Sequence, residues 1–235
     1  PVLRVELEPG FILHHRPFRD TSLLLEVLSH GHGRVGLVAR GARGARSRLR
    51  PLLQPFRPLL LSWQLRGDLG TLTAAESDGP TPGLPGGESL LALYYLNELL
   101  LRLTARVDPH PGLYEGYRAA LDELRCPGSP APALRRFEKL LLDVLGYGPE
   151  LRFDSSGQPV AAGRCYRYLP SSGLVLCAED AAGALRGRSL LALEAGDFPN
   201  ARALADARRL LRAALDVHLD GRPLKTRELL RQLRA

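Results

Sequence analysis

The sequence predicts an α+β protein: a small closed β-barrel at the N-terminal end, then a mainly helical domain carrying a small β-containing insert. Three observations carry this. Short apolar runs separated by turn residues continue to about residue 78, residues 79–87 are crowded with proline and glycine, and leucine-rich stretches at helical spacing follow.

In the barrel region Leu3, Val5 and Leu7 alternate with Arg4, Glu6 and Glu8, and further extended runs fall at 11–13, 22–28, 33–39, 59–65 and 69–75. Pro9-Gly10, Arg19-Asp20, Gly31-His32-Gly33 and Gly67-Asp68 supply the turn chemistry between them. About five or six short strands in so little chain suit a closed barrel, because closure removes edges that a small sheet cannot otherwise protect. Gly79-Pro80-Thr81-Pro82-Gly83-Leu84-Pro85-Gly86-Gly87 supports neither helix nor ladder and reads as the main domain boundary.

Helices are then expected at 88–106, at 112–125 behind Pro109 and Pro111, and at 131–145 between Pro130 and Gly146. In the last, Leu134, Phe137, Leu141, Val144 and Leu145 form an apolar stripe, with Arg135, Arg136 and Lys139 off it. Residues 151–178 return to short extended pieces around Ser155-Ser156-Gly157 and Pro170-Ser171-Ser172-Gly173. A helix at 200–219 sets Leu204, Leu211 and Leu215 opposite Arg202, Arg208, Arg209 and Arg212, and a short basic helix closes the chain at 226–234. The expected domains are therefore 1–78, the barrel; 79–150, helical; 151–185, the insert; and 186–235, C-terminal helices packing on the helical domain.

Lys+Arg total 32 against 25 Asp+Glu, a formal net charge of +7, and Lys139 and Lys225 are the only lysines. This balance favours a polyanionic partner such as nucleic acid, although an arginine-rich genome would also produce part of it. No window resembles a membrane span or a secretion signal, so a soluble cytoplasmic protein is expected. Cys126, Cys165 and Cys177 are odd in number and lack a C-x-x-C pair, which argues against a disulfide framework and against a structural zinc site.

The densest feature is Arg40-Gly41-Ala42-Arg43-Gly44-Ala45-Arg46-Ser47-Arg48-Leu49-Arg50. A mobile arginine loop beside a small barrel can follow a phosphate backbone and release its counterions; the alternative is a solvated loop. Aromatic residues of the barrel region are few, and Trp63 reads as a core or barrel-end residue rather than a base-stacking platform. Many arginines with little stacking favour backbone binding without sequence preference, as annealing demands. Arg135, Arg136 and Lys139 could form a cationic rim that pins a peptide carboxylate beside an apolar pocket, or simply an exposed cationic edge. The histidines, the paired acids and the glycines match no phosphate loop, nucleophile elbow or metal motif, so no enzyme is expected.

In order along the chain stand Phe11-Ile12-Leu13-His14, Arg16-Pro17, Gly33-Arg34-Val35, Ala39-Arg40-Gly41-Ala42-Arg43, Leu53-Gln54-Pro55-Phe56 and Pro58-Leu59-Leu60-Leu61. Tyr95-Leu96-Asn97-Glu98-Leu99, Pro132-Ala133-Leu134-Arg135-Arg136-Phe137-Glu138, Leu145-Gly146-Tyr147-Gly148 and Pro223-Leu224-Lys225-Thr226-Arg227-Glu228-Leu229 follow. This ordered set resembles the bacterial recombination-mediator family RecO, in its proteobacterial, zinc-free form, over nearly the whole chain.

The resemblance implies that 1–78 is an OB-fold, that 79–150 binds a partner's tail, and that 151–185 corresponds to a region holding a four-cysteine zinc finger in some members. Only Cys165 and Cys177 occur there, so no metal or cofactor carries over. It further implies a non-enzymatic mediator of DNA repair in the cytoplasm, at the nucleoid. Its partners would be single- and double-stranded DNA, the acidic C-terminal tail of single-strand-binding protein, RecR and, indirectly, RecA. The implied DNA contacts are Arg34, Arg40, Arg43, Arg46, Arg48 and Arg50. Lys225, Arg227 and Arg231 either extend that surface or form a plain basic helix. For the tail, Arg135 would meet its carboxylates and Phe137, Leu142 and Leu145 its apolar end, with Arg136 and Lys139 beside them. The competing reading is a general OB-fold nucleic-acid chaperone with no tail site.

Overall fold

The computed structural model describes residues 2–233. Its element order is β1 (Leu3–Phe18), β2 (Ser22–Ser29), β3 (Gly33–Ala39), β4 (Leu59–Arg66), β5 (Leu69–Ser77), α1 (Gly87–Leu103), α2 (Leu113–Arg125), α3 (Ala131–Val144), β6 (Cys165–Leu169), β7 (Gly173–Cys177), β8 (Leu185–Arg186), α4 (Gly187–Ala195), α5 (Ala201–Asp216) and α6 (Lys225–Leu233). Arg234, the expected last residue of the final helix, lies outside the described residues.

Strands β1 to β5 close into a barrel in the order β1-β2-β3-β5-β4. All neighbours are antiparallel except β3 and β5, which run parallel through Gly36↔Leu69, Leu37↔Gly70 and Val38↔Thr71. This is the OB-fold, and the protein is α+β. Ile12, Leu25, Val27, Val35, Leu37, Leu59, Leu61 and Trp63 fill the interior with no exposed surface, so Trp63 is a core residue. Phe11 and Phe56 are also buried, leaving the barrel without an open stacking ring among them.

One turn expected from sequence is not a turn. β1 runs through Pro9 and Gly10, and Gly10 stands opposite both Leu59 of β4 and Ser29 of β2. A Cβ on Gly10 would lie 3.2 Å from both Leu61 and Val27. The glycine is therefore required where the long strand crosses from one ladder to the other, packed against the barrel interior.

The Pro/Gly-rich stretch carries neither helix nor strand at 79–86, yet the compact units do not divide there. One unit holds the chain up to Cys126 together with everything from Leu224 onward; the other is Pro127–Pro223. The expected helical domain 79–150 is thus shared between them. The reason lies in the polar and aromatic ties of α1 and α2. Buried Asn97 donates to the Leu13 carbonyl of β1 at 3.1 Å and accepts from the Tyr117 hydroxyl. Phe11 packs against the rings of Tyr114 and Tyr117 at 5.4 and 5.2 Å. α6 packs on α1, where the Glu98 carboxylate accepts the backbone N–H groups of Lys225 and Thr226 at 2.7 and 3.0 Å, taking the place of a local helix cap.

In the second unit α5 packs on α3 and α4. Asn200 caps α5 by accepting the Ala203 N–H at 2.9 Å, and Ala207, Leu210, Leu211, Ala214 and Leu215 are its buried face. The 151–185 insert forms the hairpin β6–β7, with β8 added beside β6. α4 was not expected from sequence. It is only nine residues long and its first residue is a glycine, so neither a long period nor a capping side chain announces it.

Candidate nucleic-acid interface

Between β3 and β4 the chain lays down the arginine loop. It is a series of tight turns rather than a slack tether: Gly44 donates to Gly41, Ser47 to Gly44, and Leu52 and Leu53 both to Leu49, at 2.9–3.0 Å. Ala42 and Leu53 are fully buried at its two ends, and Leu49 packs on the barrel core. These apolar anchors fix the loop against the barrel while Arg40, Arg43, Arg46, Arg48 and Arg50 are exposed. None of the five pairs with a carboxylate among the described residues, and Arg43 reaches only the Arg19 carbonyl, at 3.2 Å. Arg19 itself stands over the Phe18 ring at 5.1 Å.

Arg34 does not belong to this set. Its guanidinium meets Glu26 at 2.8 Å, the Thr104 hydroxyl at 3.1 Å and the Thr104 carbonyl at 2.6 Å, and its side chain is 14% exposed. The side chain leaves β3 toward the end of α1, so, unlike the loop arginines, the expected DNA contact Arg34 is engaged within the fold. Arg106 joins the same Glu26 carboxylate; that hydrogen bond raises its pKa further and keeps it cationic. Of the late basic residues on α6, Lys225 and Arg231 are exposed and Arg227 is half-buried.

The expected cationic rim on α3 is only partly exposed. Arg135 is buried and bonded to buried Glu138 at 2.6 Å, and Phe137 and Leu142 are buried as well. α3 carries buried residues at 133, 134, 135, 137, 138, 141 and 142, a buried arc wider than the leucine stripe alone indicates. Arg136 by contrast is exposed, donates to the Gly196 carbonyl at 2.8 Å and stands 6.0 Å from the centre of the Phe198 ring. Lys139 lies between Asp143 at 2.8 Å and Glu194 at 3.6 Å. Burial opposes its charge, but these two acids outweigh it and raise its pKa. Leu145 is half-buried at the end of the helix. Sequence reasoning passed over Phe198, which nothing but its position beside Arg136 marks out.

The recombination protein O N-terminal family model matches residues 4–79, and the recombination protein O C-terminal model matches residues 86–228. The chain belongs to the RecO family. It is 47% identical to the DNA repair protein RecO of Nitrosococcus oceani over 235 residues, covering 99% of this chain and 95% of that one. It is 43% identical to the Azoarcus sp. RecO, covering 98% and 97%, and 45% identical to that of Coxiella burnetii, covering 97% and 98%. Membership makes this a DNA-binding protein of DNA repair and recombination. Among the described residues no group of three or more His, Cys, Asp or Glu side chains is placed to hold a metal ion. No described helix is long and apolar enough to cross a membrane.

Proposed function

We propose that the chain is a recombination mediator that holds single- and double-stranded DNA by the phosphates and anneals complementary strands. With the acidic tail of single-strand-binding protein and with RecR, it promotes loading of RecA, itself making and breaking no bond. The observation that carries this reading is the set of five exposed arginines, Arg40, Arg43, Arg46, Arg48 and Arg50, without carboxylate partners among the described residues. They stand on a barrel whose Phe11, Phe56 and Trp63 rings are buried, Phe18 being partly exposed under Arg19. With few open rings for bases to stack on, the backbone is what such a surface recognises, and two strands held by it have their mutual repulsion screened. Lys225 and Arg231 on α6 are proposed as further phosphate contacts, with Arg227 beside them.

The tail is proposed to dock on α3 around Arg136 and Lys139, with Phe198 and Leu145 as apolar neighbours. For Arg135 to take part, a tail carboxylate has to replace Glu138, or add to it at Arg135 Nε, which is buried without a hydrogen-bond partner. Phe137 and Leu142 then serve as the packing behind the site. The paired state of Arg135 favours the second reading, a general OB-fold nucleic-acid chaperone without a tail site.

Fluorescence anisotropy separates the two. The wild-type chain and Arg136→Ala are titrated with a labelled acidic tail peptide and with labelled single-stranded DNA, each at two salt concentrations. The mediator reading expects both ligands to bind, salt to weaken both, and the substitution to weaken only the peptide. DNA binding with no peptide binding by the wild type establishes the chaperone instead.

A further inference from the structure

Two thiols that the sequence separates meet in the insert. Cys165 on β6 and Cys177 on β7 are direct partners across an antiparallel ladder, and both are free and partly exposed. Directly opposed residues in such a ladder have Cα atoms about 4.5–5.5 Å apart, within the roughly 4.4–6.8 Å that a disulfide spans. The pair can therefore be joined with little movement of the backbone.

Their surroundings point to the reagent. Both cysteines line a concavity of about 330 Å³ whose other side chains include Arg164, Arg186, Arg188 and Glu179. Glu179 is 3.7 Å from Arg186, and Arg164 and Arg188 have no carboxylate partner among the described residues. A cationic rim around two thiols draws in an anionic reagent and disfavours a cationic one. Burial raises the Cys177 thiol, the facing Cys165 adds to this and Arg167 opposes it, so Cys177 is the poorer first nucleophile.

We propose that Cys165 and Cys177 are a reversible oxidative modification site, which closes to a cross-strand disulfide by exchange with an anionic low-molecular-weight disulfide of the glutathione type. The Cys165 thiolate attacks one sulfur of that disulfide, breaking its S–S bond and releasing one thiolate. The Cys177 thiolate then attacks Cys165 Sγ in the mixed disulfide, releasing the second. The two cysteines give up two protons and two electrons, and the small disulfide is reduced to two thiols. The closed bridge ties β6 to β7 beneath the arginine rim.

The test uses the full chain incubated with oxidised glutathione, and separately with the neutral disulfide of 2-mercaptoethanol, at low and high salt. Thiols are counted after denaturation and disulfides mapped by peptide mass. The expected result is Cys165 linked to Cys177, with the exposed Cys126 free or carrying a mixed disulfide, and all three thiols of the sequence restored by a dithiol reductant. Salt should slow the glutathione reaction and leave the neutral one unchanged, and Cys165→Ser should form no internal bridge. Retention of all three thiols, a mixed disulfide at Cys165 or Cys177 that never resolves, or modification of Cys126 alone overturns the proposal. Equal salt dependence of the two reagents overturns the role of the arginines.

Discussion

The Tyr117 hydroxyl donates to Asn97 Oδ1 at 2.5 Å, while Asn97 Nδ2 donates to the Leu13 carbonyl at 3.1 Å. A barrel strand and two helices thus share one buried amide, with Tyr117 fully buried and Asn97 2% exposed. Removing the amide takes a hydrogen-bond partner from the Tyr117 hydroxyl and from the Leu13 carbonyl at once, at about 1–3 kcal/mol for each buried bond lost. Asn97→Ala should therefore lower unfolding stability by about 2–5 kcal/mol, and Tyr117→Phe by less, since the amide keeps its bond to Leu13. Urea unfolding of the two variants and the wild type reads the difference.

Arg34 and the loop arginines should separate cleanly. Arg34→Ala removes both bonds to Thr104 and one of the two guanidinium partners of Glu26, which keeps Arg106, and is expected to cost about 1–3 kcal/mol of stability. Its effect on DNA affinity, measured where the variant is folded, should be small. Arg46→Ala and Arg48→Ala should leave the melting temperature in place. Each that meets a phosphate should lower the slope of log K against log salt by about 0.7 for single strands. A loop substitution that changes stability but not the salt slope contradicts the interface.

Gly33 tests the turn between β2 and β3. It adopts φ +67°, and a Cβ there would lie 2.6 Å from the Asp108 carbonyl oxygen and 2.9 Å from Pro109 N. Backbone strain and a clash with backbone act together, so Gly33→Ala should destabilise by about 2–4 kcal/mol, at the upper end of single-residue effects. Gly41→Ala, at φ +69° with open space around it, should cost about 1–2 kcal/mol. Thermal melts of the two variants check the ordering.

The barrel was legible because its strands punctuate a short segment with turn residues, and the arginine loop because its composition has no role in a core. The passage of β1 through Pro9-Gly10 was not legible: a local dipeptide that ordinarily turns is overruled by ladders to Leu59 and Ser29, which lie far along the chain. Arg34 and Arg135 illustrate the same limit for a site. Each was grouped with cationic residues that include exposed arginines, and only the positions of Glu26, Thr104 and Glu138 reveal that these two are engaged internally. The pairing of Cys165 with Cys177 needed the hairpin's register, which the spacing of the cysteines alone leaves open.

Tyr114 provides a pH test. Burial is the main cause that raises its pKa to about 12, with Arg118 opposing, and its hydroxyl is buried without a hydrogen-bond partner. The unfolded chain releases this proton near pH 10, whereas the folded one holds it to about 12. Its contribution to stability is therefore complete below pH 10 and is lost as the pH rises through about 12. Tyr114→Phe removes both the orphaned hydroxyl and the titration. The variant should be as stable as the wild type at neutral pH, or more so by up to about 1 kcal/mol, and should lose less stability in alkali. Chemical denaturation at neutral pH and at pH 11 compares them, and a variant less stable at neutral pH would show that the hydroxyl finds a partner.

Arg135 and Glu138 determine how tail binding has to be tested. Both are buried and joined at 2.6 Å, so Arg135→Ala takes the guanidinium partner from a buried carboxylate and is expected to cost about 3–5 kcal/mol. Lost peptide binding in that variant would report a damaged α3 rather than a missing contact. Glu138→Gln keeps the shape and a hydrogen-bond acceptor for the guanidinium but removes the competing charge. If the tail carboxylate takes the place of Glu138, this variant should bind the acidic peptide more tightly than the wild type, with DNA affinity unchanged. If the tail uses only Arg136 and Lys139, Glu138→Gln should leave peptide affinity unaltered while Arg136→Ala lowers it. Anisotropy titrations of both variants, with melting curves to confirm that each is folded, distinguish an exchange of partners at Arg135 from docking on the exposed edge of the helix.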